Sequence, residues 1–174
     1  IRLIPADEAA ADAQHSAEGL LRHDTKRIYY KYCATFDSTD KGNIGPIGEA
    51  LMKTTKTDRV LFCPAFPEYS VTIFQGRMFL GGTMLGESGK RFDPITPMTN
   101  SNLVEVLQAQ CQGKVGLLPH GVLAAGKEAG NTYIENQIKK GTHLFIADAA
   151  DNEDATRIAE LATDWPLTTG ADAL

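Results

Sequence analysis

The sequence has 174 residues, 43% of them hydrophobic and 22% charged, with a formal net charge of −5. That is one domain's worth of chain, long enough to bury a core without disulfide staples. The mix excludes a disordered or collagen-like chain, the acidic balance lacks a basic nucleic-acid footprint, and no apolar run approaches the roughly 18 residues of a membrane span.

Residues 7–22 carry Ala10, Ala13, Ala17, Leu20 and Leu21 at helical spacing, with Asp7 as the expected cap after Pro5. Residues 27–33 are rich in aromatic and branched side chains and read as a strand. A helix is expected over 43–54, where Ile44, Ile47 and Leu51 share a face, and a short apolar strand over 59–63, stopped by Pro64. Between 72 and 86, short apolar pieces separated by glycines predict hairpin strands. Residues 87–100, with Pro94 and Pro97, read as a long loop, a kind that is often functional. A helix follows over 101–112, a strand over 114–118, and a helix over 126–140 ended by Gly141. The chain closes with a strand over 143–148, a helix over 152–163 and a last strand over 167–169.

Alternation of helices with strands too apolar to have a wet face predicts an α/β fold. It is a three-layer, Rossmann-like domain whose mostly parallel sheet carries a small hairpin insertion. Cys33, Cys63 and Cys111 are odd in number and form no C-x-x-C pair, which argues against zinc or thioredoxin chemistry. Cys33 and Cys63 sit in apolar runs and read as small buried hydrophobes. Reduced thiols and no visible signal peptide point to the cytoplasm. The first residue is Ile1 and the last five follow an apolar stretch, so a piece of a longer chain is expected.

Ligands of open α/β sheets bind beyond the carboxyl ends of the strands. After the strand at 27–33 comes a segment dense in hydroxyls, a carboxylate, an amide and two glycines. Thr35, Asp37, Ser38, Thr39 and Asn43 suit a polyhydroxylated acid, and the helix start that follows favours anions. Asp37, Ser38 or Asn43 acting merely as a helix cap is an equal reading at this point. His120 follows another strand and is a candidate base or ligand, or else structural or solvated. Glu87, Arg91 and Asp93 lie in the long loop, either solvated or within reach of a ligand. Asp148 is expected to cap the helix at 152. Residues 86–91 only superficially resemble a phosphate loop, and no G-x-G-x-x-G, H-E-x-x-H or G-x-S-x-G run occurs.

Three blocks in order are more specific: 31–46 (Lys-Tyr-Cys-Ala-Thr-Phe-Asp-Ser-Thr-Asp-Lys-Gly-Asn-Ile-Gly-Pro), Pro64-Ala65-Phe66-Pro67 through Gln75-Gly76, and Glu87-Ser88-Gly89 through Asn100-Ser101. Together they strongly resemble the four-carbon acid sugar kinase family over essentially the whole chain. The first block is most similar to the branch of that family acting on 3-oxo-tetronates.

The resemblance implies that residues 1–174 are the N-terminal, sugar-acid-binding domain of a two-domain kinase, without its first strand and its C-terminal ATP-binding domain. It implies ATP-dependent phosphorylation of the terminal 4-hydroxyl of a four-carbon sugar acid, a 3-oxo-tetronate or a related tetronate or threonate. Arg2 would hold the carboxylate, and Thr35, Asp37, Ser38, Thr39 and Asn43 the hydroxyls and carbonyl. Asp37 is also the candidate catalytic base. Gly170 falls where the family has a glycine-rich stretch leading to ATP. ATP and Mg²⁺ would be held mainly by the C-terminal domain, no metal site is expected in this chain, and a homo-oligomer is compatible with the family. Val71 stands where the family usually has Arg, which motivates the alternative of a non-catalytic sugar-acid-binding module on the same scaffold.

Overall fold

The computed structural model describes residues 3–171. Arg2 and residues 172–174 lie outside the described residues.

The centre is built by two strands with almost no polar residues, β2 (Val60–Cys63), buried throughout, and β7 (Thr142–Ala147), buried at five of six positions. β1 (Ile28–Lys31), β8 (Leu167–Gly170) and β6 (Lys114–Leu118) complete a five-stranded sheet in the order β1-β8-β2-β7-β6, parallel throughout. Strands hidden on both sides require helices on both faces.

The crossovers supply them. β1 reaches β2 through α2 (Ile44–Thr55), and β2 reaches β6 through α3 (Leu103–Gln108), moving one way across the sheet. β6 returns to β7 through α4 (His120–Ala124) and α5 (Lys127–Ile138), and β7 to β8 through α6 (Asn152–Leu161). Right-handed crossovers running in opposite directions place their helices on opposite faces. Accordingly α1 (Ala6–Leu21) packs on α2, and α5 on α6. The three-layer α/β expectation holds.

Helix α2 approaches the sheet so closely that a Cβ on Gly48 would lie 2.5 Å from Cζ of Phe62. Beneath it, the Tyr32 hydroxyl bonds Thr169 Oγ1 at 2.9 Å, and that hydroxyl in turn donates to Leu61 O at 2.7 Å. The buried hydroxyls of Tyr32 and Thr169 are thereby paired.

The insertion is a separate antiparallel sheet of β3 (Val71–Phe74), β4 (Arg77–Leu80) and β5 (Thr83–Met84). Gln75 and Gly76 connect β3 to β4 with φ of 50° and 73°, the two-residue turn with positive φ at both positions that suits twisted hairpins. The hairpin is docked to the end of β7 by the Ile73–Ala149 bridge and by Asp148. That carboxylate is wholly buried and accepts from Gln75 N (2.9 Å), Gly76 N (2.8 Å) and His120 N (3.0 Å).

Several local expectations are corrected. Asp7 lies in the first turn of α1, where a carboxylate favours the dipole, but Pro5 occupies the cap. Asp148 does not cap α6; Asp151 does, accepting from Asp154 N, because Asp148 is drawn to the hairpin turn. Residues 87–100 are not loop throughout, since Gly89–Phe92 form a 3₁₀ turn capped by Ser88. His120 opens a short helix rather than lying in a loop. Cys33 is half-buried and hydrogen-bonded rather than a core hydrophobe, whereas Cys63 is buried as expected.

Candidate functional site

The carboxyl ends of β1, β8 and β2 lie together, with Gly170 in register with both Lys31 and Cys63. The segment leaving β1 therefore starts at the end of the sheet. Phe36 anchors it. Its ring is fully buried and meets Tyr32 edge-on at 5.5 Å, while its backbone takes φ 52°, a costly conformation for an aromatic residue. Asp37, Ser38 and Asn43 on the same segment are all buried.

Asp37 is 4% exposed and sits among donors. Thr35 Oγ1 donates to its Oδ1, and the Cys33 thiol approaches Oδ2 at 3.5 Å. The ammonium of Lys90 lies 3.0 Å from Oδ1 and 3.1 Å from Oδ2. Lys90 comes from the 3₁₀ turn of the long loop and also holds Asp93 Oδ2 at 3.0 Å. Burial disfavours the Lys90 charge, but its hydrogen bonds to Asp93 and Asp37 outweigh this and raise its pKa. The Asp93 carboxyl is held well below the usual carboxylate range by the Thr96 N–H, the Lys90 ammonium and the Ile95 N–H.

Ser38 and Thr39 are fixed by a residue far along the chain. Gln110 Nε2 donates to Ser38 Oγ at 2.8 Å and to Thr39 O at 3.0 Å, while its Oε1 accepts from Gly45 N at 3.0 Å. The loop doubles back tightly through Gly42, where an added Cβ would fall 1.7 Å from Ser38 Oγ. None of Asp37, Ser38 or Asn43 caps α2 through its side chain. Asn43 occupies the cap position but makes no side-chain cap bond, and its amide donates to Ile4 O at 3.1 Å. The expectation of an anion site on the bare start of α2 is also reduced, since the Gly45 N–H is taken by Gln110.

Between residues 38–41 and residues 97–100 opens a cleft of about 330 Å³, with Val106 completing its wall. Hydroxyls, amides and charged groups line much of it. Ser38 N lies 3.4 Å from Met98 Sδ of the facing wall, and the Lys90–Asp37 pair joins the two loops that carry the walls. A larger cleft of about 510 Å³ runs along β1 and α6, between Tyr29 and Ala159, and is mostly apolar. It holds none of the residues expected to bind substrate.

The structure thus brings Thr35, Asp37, Ser38, Thr39 and Asn43 onto one segment and adds Asp93, Lys90 and Gln110. Lys90 and Gln110 were not singled out from sequence. Gln110 offers no local signal, whereas the Lys90–Asp93 spacing of three could have suggested a charge pair. Arg91 stacks over Phe92 at 5.3 Å and Glu87 is exposed, both on the surface of the loop. Gly170 ends β8, and its carbonyl accepts from Tyr32 N at 3.1 Å. His120 is tied to Asp154 at 3.0 Å and to Asp148 through its backbone. Val71 is buried in β3 and paired with Leu80.

The run 86–91 lies in two 3₁₀ turns and does not take the strand–loop–helix form of a phosphate loop. Among the described residues no group of three or more His, Cys, Asp or Glu side chains could hold a metal, and no helix is long and apolar enough to cross a membrane.

Comparison with known proteins identifies the family. A family described as the sugar-binding N-terminal domain matches residues 1–174. A 3-oxo-tetronate kinase of Cupriavidus necator is 42% identical over 173 residues, covering 99% of this chain and 40% of that protein. One from Pseudomonas savastanoi is 43% identical with the same coverage. The crystal structure of Haemophilus influenzae protein HI1011 superposes with a TM-score of 0.95 at 36% identity, covering 99% of this chain and 42% of that one. The chain spans about 40% of the length of the curated relatives it matches. It belongs to the sugar-binding N-terminal domain family.

Proposed function

We propose that this chain is the sugar-acid-binding domain of an ATP-dependent kinase that phosphorylates the 4-hydroxyl of a 3-oxo-tetronate or a related tetronate or threonate. ATP and Mg²⁺ would be held by a separate ATP-binding domain of the intact protein. The reading is supported by relatives named 3-oxo-tetronate kinase. The observation that carries it is the buried, loop-mounted carboxylate of Asp37, set beside a hydroxyl-rich cleft at the carboxyl end of the sheet.

A polyhydroxylated acid needs acceptors for its hydroxyls and donors for its carbonyl and carboxylate oxygens. Asp37 accepts; Ser38 and Thr39 do both. Arg2 would supply a bidentate grip on the carboxylate. The 330 Å³ cleft suits such a ligand better than the larger apolar one, because a small polyol buried against apolar walls would lose its hydrogen bonds to water. Phosphoryl transfer rests mainly on positioning and charge neutralisation. Asp37 therefore serves first by orienting the substrate, and we take it as the base that accepts the proton of a hydroxyl. The three free thiols, Cys33, Cys63 and Cys111, support a reducing, cytoplasmic setting.

The test is ATP consumption by the intact protein across a panel of four-carbon sugar acids that includes 3-oxo-tetronates. Turnover with one member is expected and names the substrate. Thermal stabilisation by the same acids without turnover would replace the kinase with a non-catalytic binding module, and neither response would refute both.

A further inference from the structure

The function proposed above leaves Lys90 without a role, although its ammonium lies 3.0 Å from the Asp37 carboxylate. An ammonium has three N–H donors. Among the described residues Lys90 Nζ bonds only Asp37 and Asp93. Its side chain is 25% exposed, against 4% for Asp37. Two hydrogen-bonded partners for three N–H groups leave the ammonium a donor to offer, beside a carboxylate that only accepts.

A donor and an acceptor 3 Å apart match a ligand that carries an acceptor-only oxygen next to a hydroxyl. A sugar acid presents that pair wherever a carbonyl or carboxylate adjoins an alcohol carbon. The turn holding Lys90 is built to present it. Ser88 Oγ accepts from Lys90 N at 3.2 Å, Lys90 O accepts from Met98 N at 3.0 Å, and Asp93 is anchored by Ile95 N and Thr96 N. Asp93 holds the ammonium through a second carboxylate, so the head group keeps a fixing contact when a ligand engages Asp37.

Resting on the sugar-acid reading, we propose that Lys90 is a substrate-contacting, specificity-determining residue, whose ammonium donates to the carbonyl or carboxylate oxygen adjoining the hydroxyl held by Asp37.

Steady-state kinetics of the intact protein test this with Lys90→Met, which keeps the stem and removes the charge, and Lys90→Arg, which restores it. Losing a charged hydrogen bond to substrate predicts a KM for the sugar acid raised roughly tenfold or more, with the KM for ATP within about twofold and substantial recovery in Lys90→Arg. A sugar-acid KM unchanged in Lys90→Met overturns the proposal, as does a rise shared equally by ATP, which would indicate a purely structural lysine. A measurement on the wild type keeps the proposal testable if the variants fail to fold: acetylation of Lys90, followed by peptide mass mapping, is slowed by the sugar acid. Absence of protection, in a protein that the same acid stabilises against heat, overturns the Lys90 contact while leaving the binding function standing. Wild-type protein that neither turns over nor is stabilised by any sugar acid removes the underlying reading, and the Lys90 contact with it.

Discussion

Replacing Asp148 by Ala tests how the hairpin that precedes the Lys90 loop is held on the sheet. Three backbone N–H groups converge on this carboxylate, at 2.8, 2.9 and 3.0 Å. The Gly76 N–H is buried, while those of Gln75 and His120 are partly buried and can recruit water. A buried donor left without a partner costs about 1–3 kcal/mol. One full penalty and two partial ones give a loss of roughly 2–5 kcal/mol, lowered slightly because burying the carboxylate itself is unfavourable. In a domain of this size each kcal/mol moves Tm by about 2–4 °C, so a fall of roughly 5–15 °C is expected. Asp148→Asn keeps one acceptor oxygen but turns a donor toward the remaining N–H, and should lose about half as much. Urea unfolding followed by the fluorescence of Trp165, the single tryptophan, reads the change. A midpoint for Asp148→Ala indistinguishable from wild type would refute the claim that this carboxylate secures the hairpin.

Three further outcomes follow from local geometry. Gly48→Ala forces a Cβ against the Phe62 ring at 2.5 Å, so α2 must shift, and a loss of about 1–3 kcal/mol in chemical unfolding is expected, against the small gain that Ala brings to an unobstructed helix. Burial raises the pKa of Asp154, but hydrogen bonds from Ala150 N, His120 and Arg157 outweigh it and hold the carboxyl below its ordinary value. Its stabilisation is therefore complete above the ordinary pKa near 4 and is lost as pH falls through the lower folded value. The Tm gap between wild type and Asp154→Asn should be full at pH 6 and shrink below about pH 4, and a gap constant with pH would contradict this. Burial pushes the thiols of Cys63 and Cys111 up to about 12, so both should resist iodoacetamide at pH 8 in the folded chain, as read by mass spectrometry.

The sequence disclosed the fold because its strands are short, apolar and separated by well-punctuated amphipathic helices. β2 and β7 could be read from runs such as Val60-Leu61-Phe62-Cys63, and Gly141, at φ 80°, marks the end of α5 as expected. The misreadings concern polar side chains with two available local partners. Asp148 had a helix start nearby but is claimed by a turn some 70 residues upstream, and Asp37, Ser38 and Asn43 preceded a helix without capping it by their side chains. Local spacing cannot rank such partners, because the choice depends on which loops the sheet brings together. The same limit hid Gln110, whose contacts with Ser38 and Gly45 span 72 and 65 residues. Lys90 was obscured because it sits within a phosphate-loop-like run of glycines, while its partners are carboxylates.

The most direct test of the account is isothermal titration of the intact wild-type protein and its Asp37→Ala variant with the four-carbon sugar acid that supports turnover. The account predicts saturable binding by the wild type and a loss of roughly tenfold or more in affinity for a variant that remains folded. Equal affinity in the two proteins would show that the buried carboxylate beside the cleft takes no part in binding, and would contradict the assignment of the site.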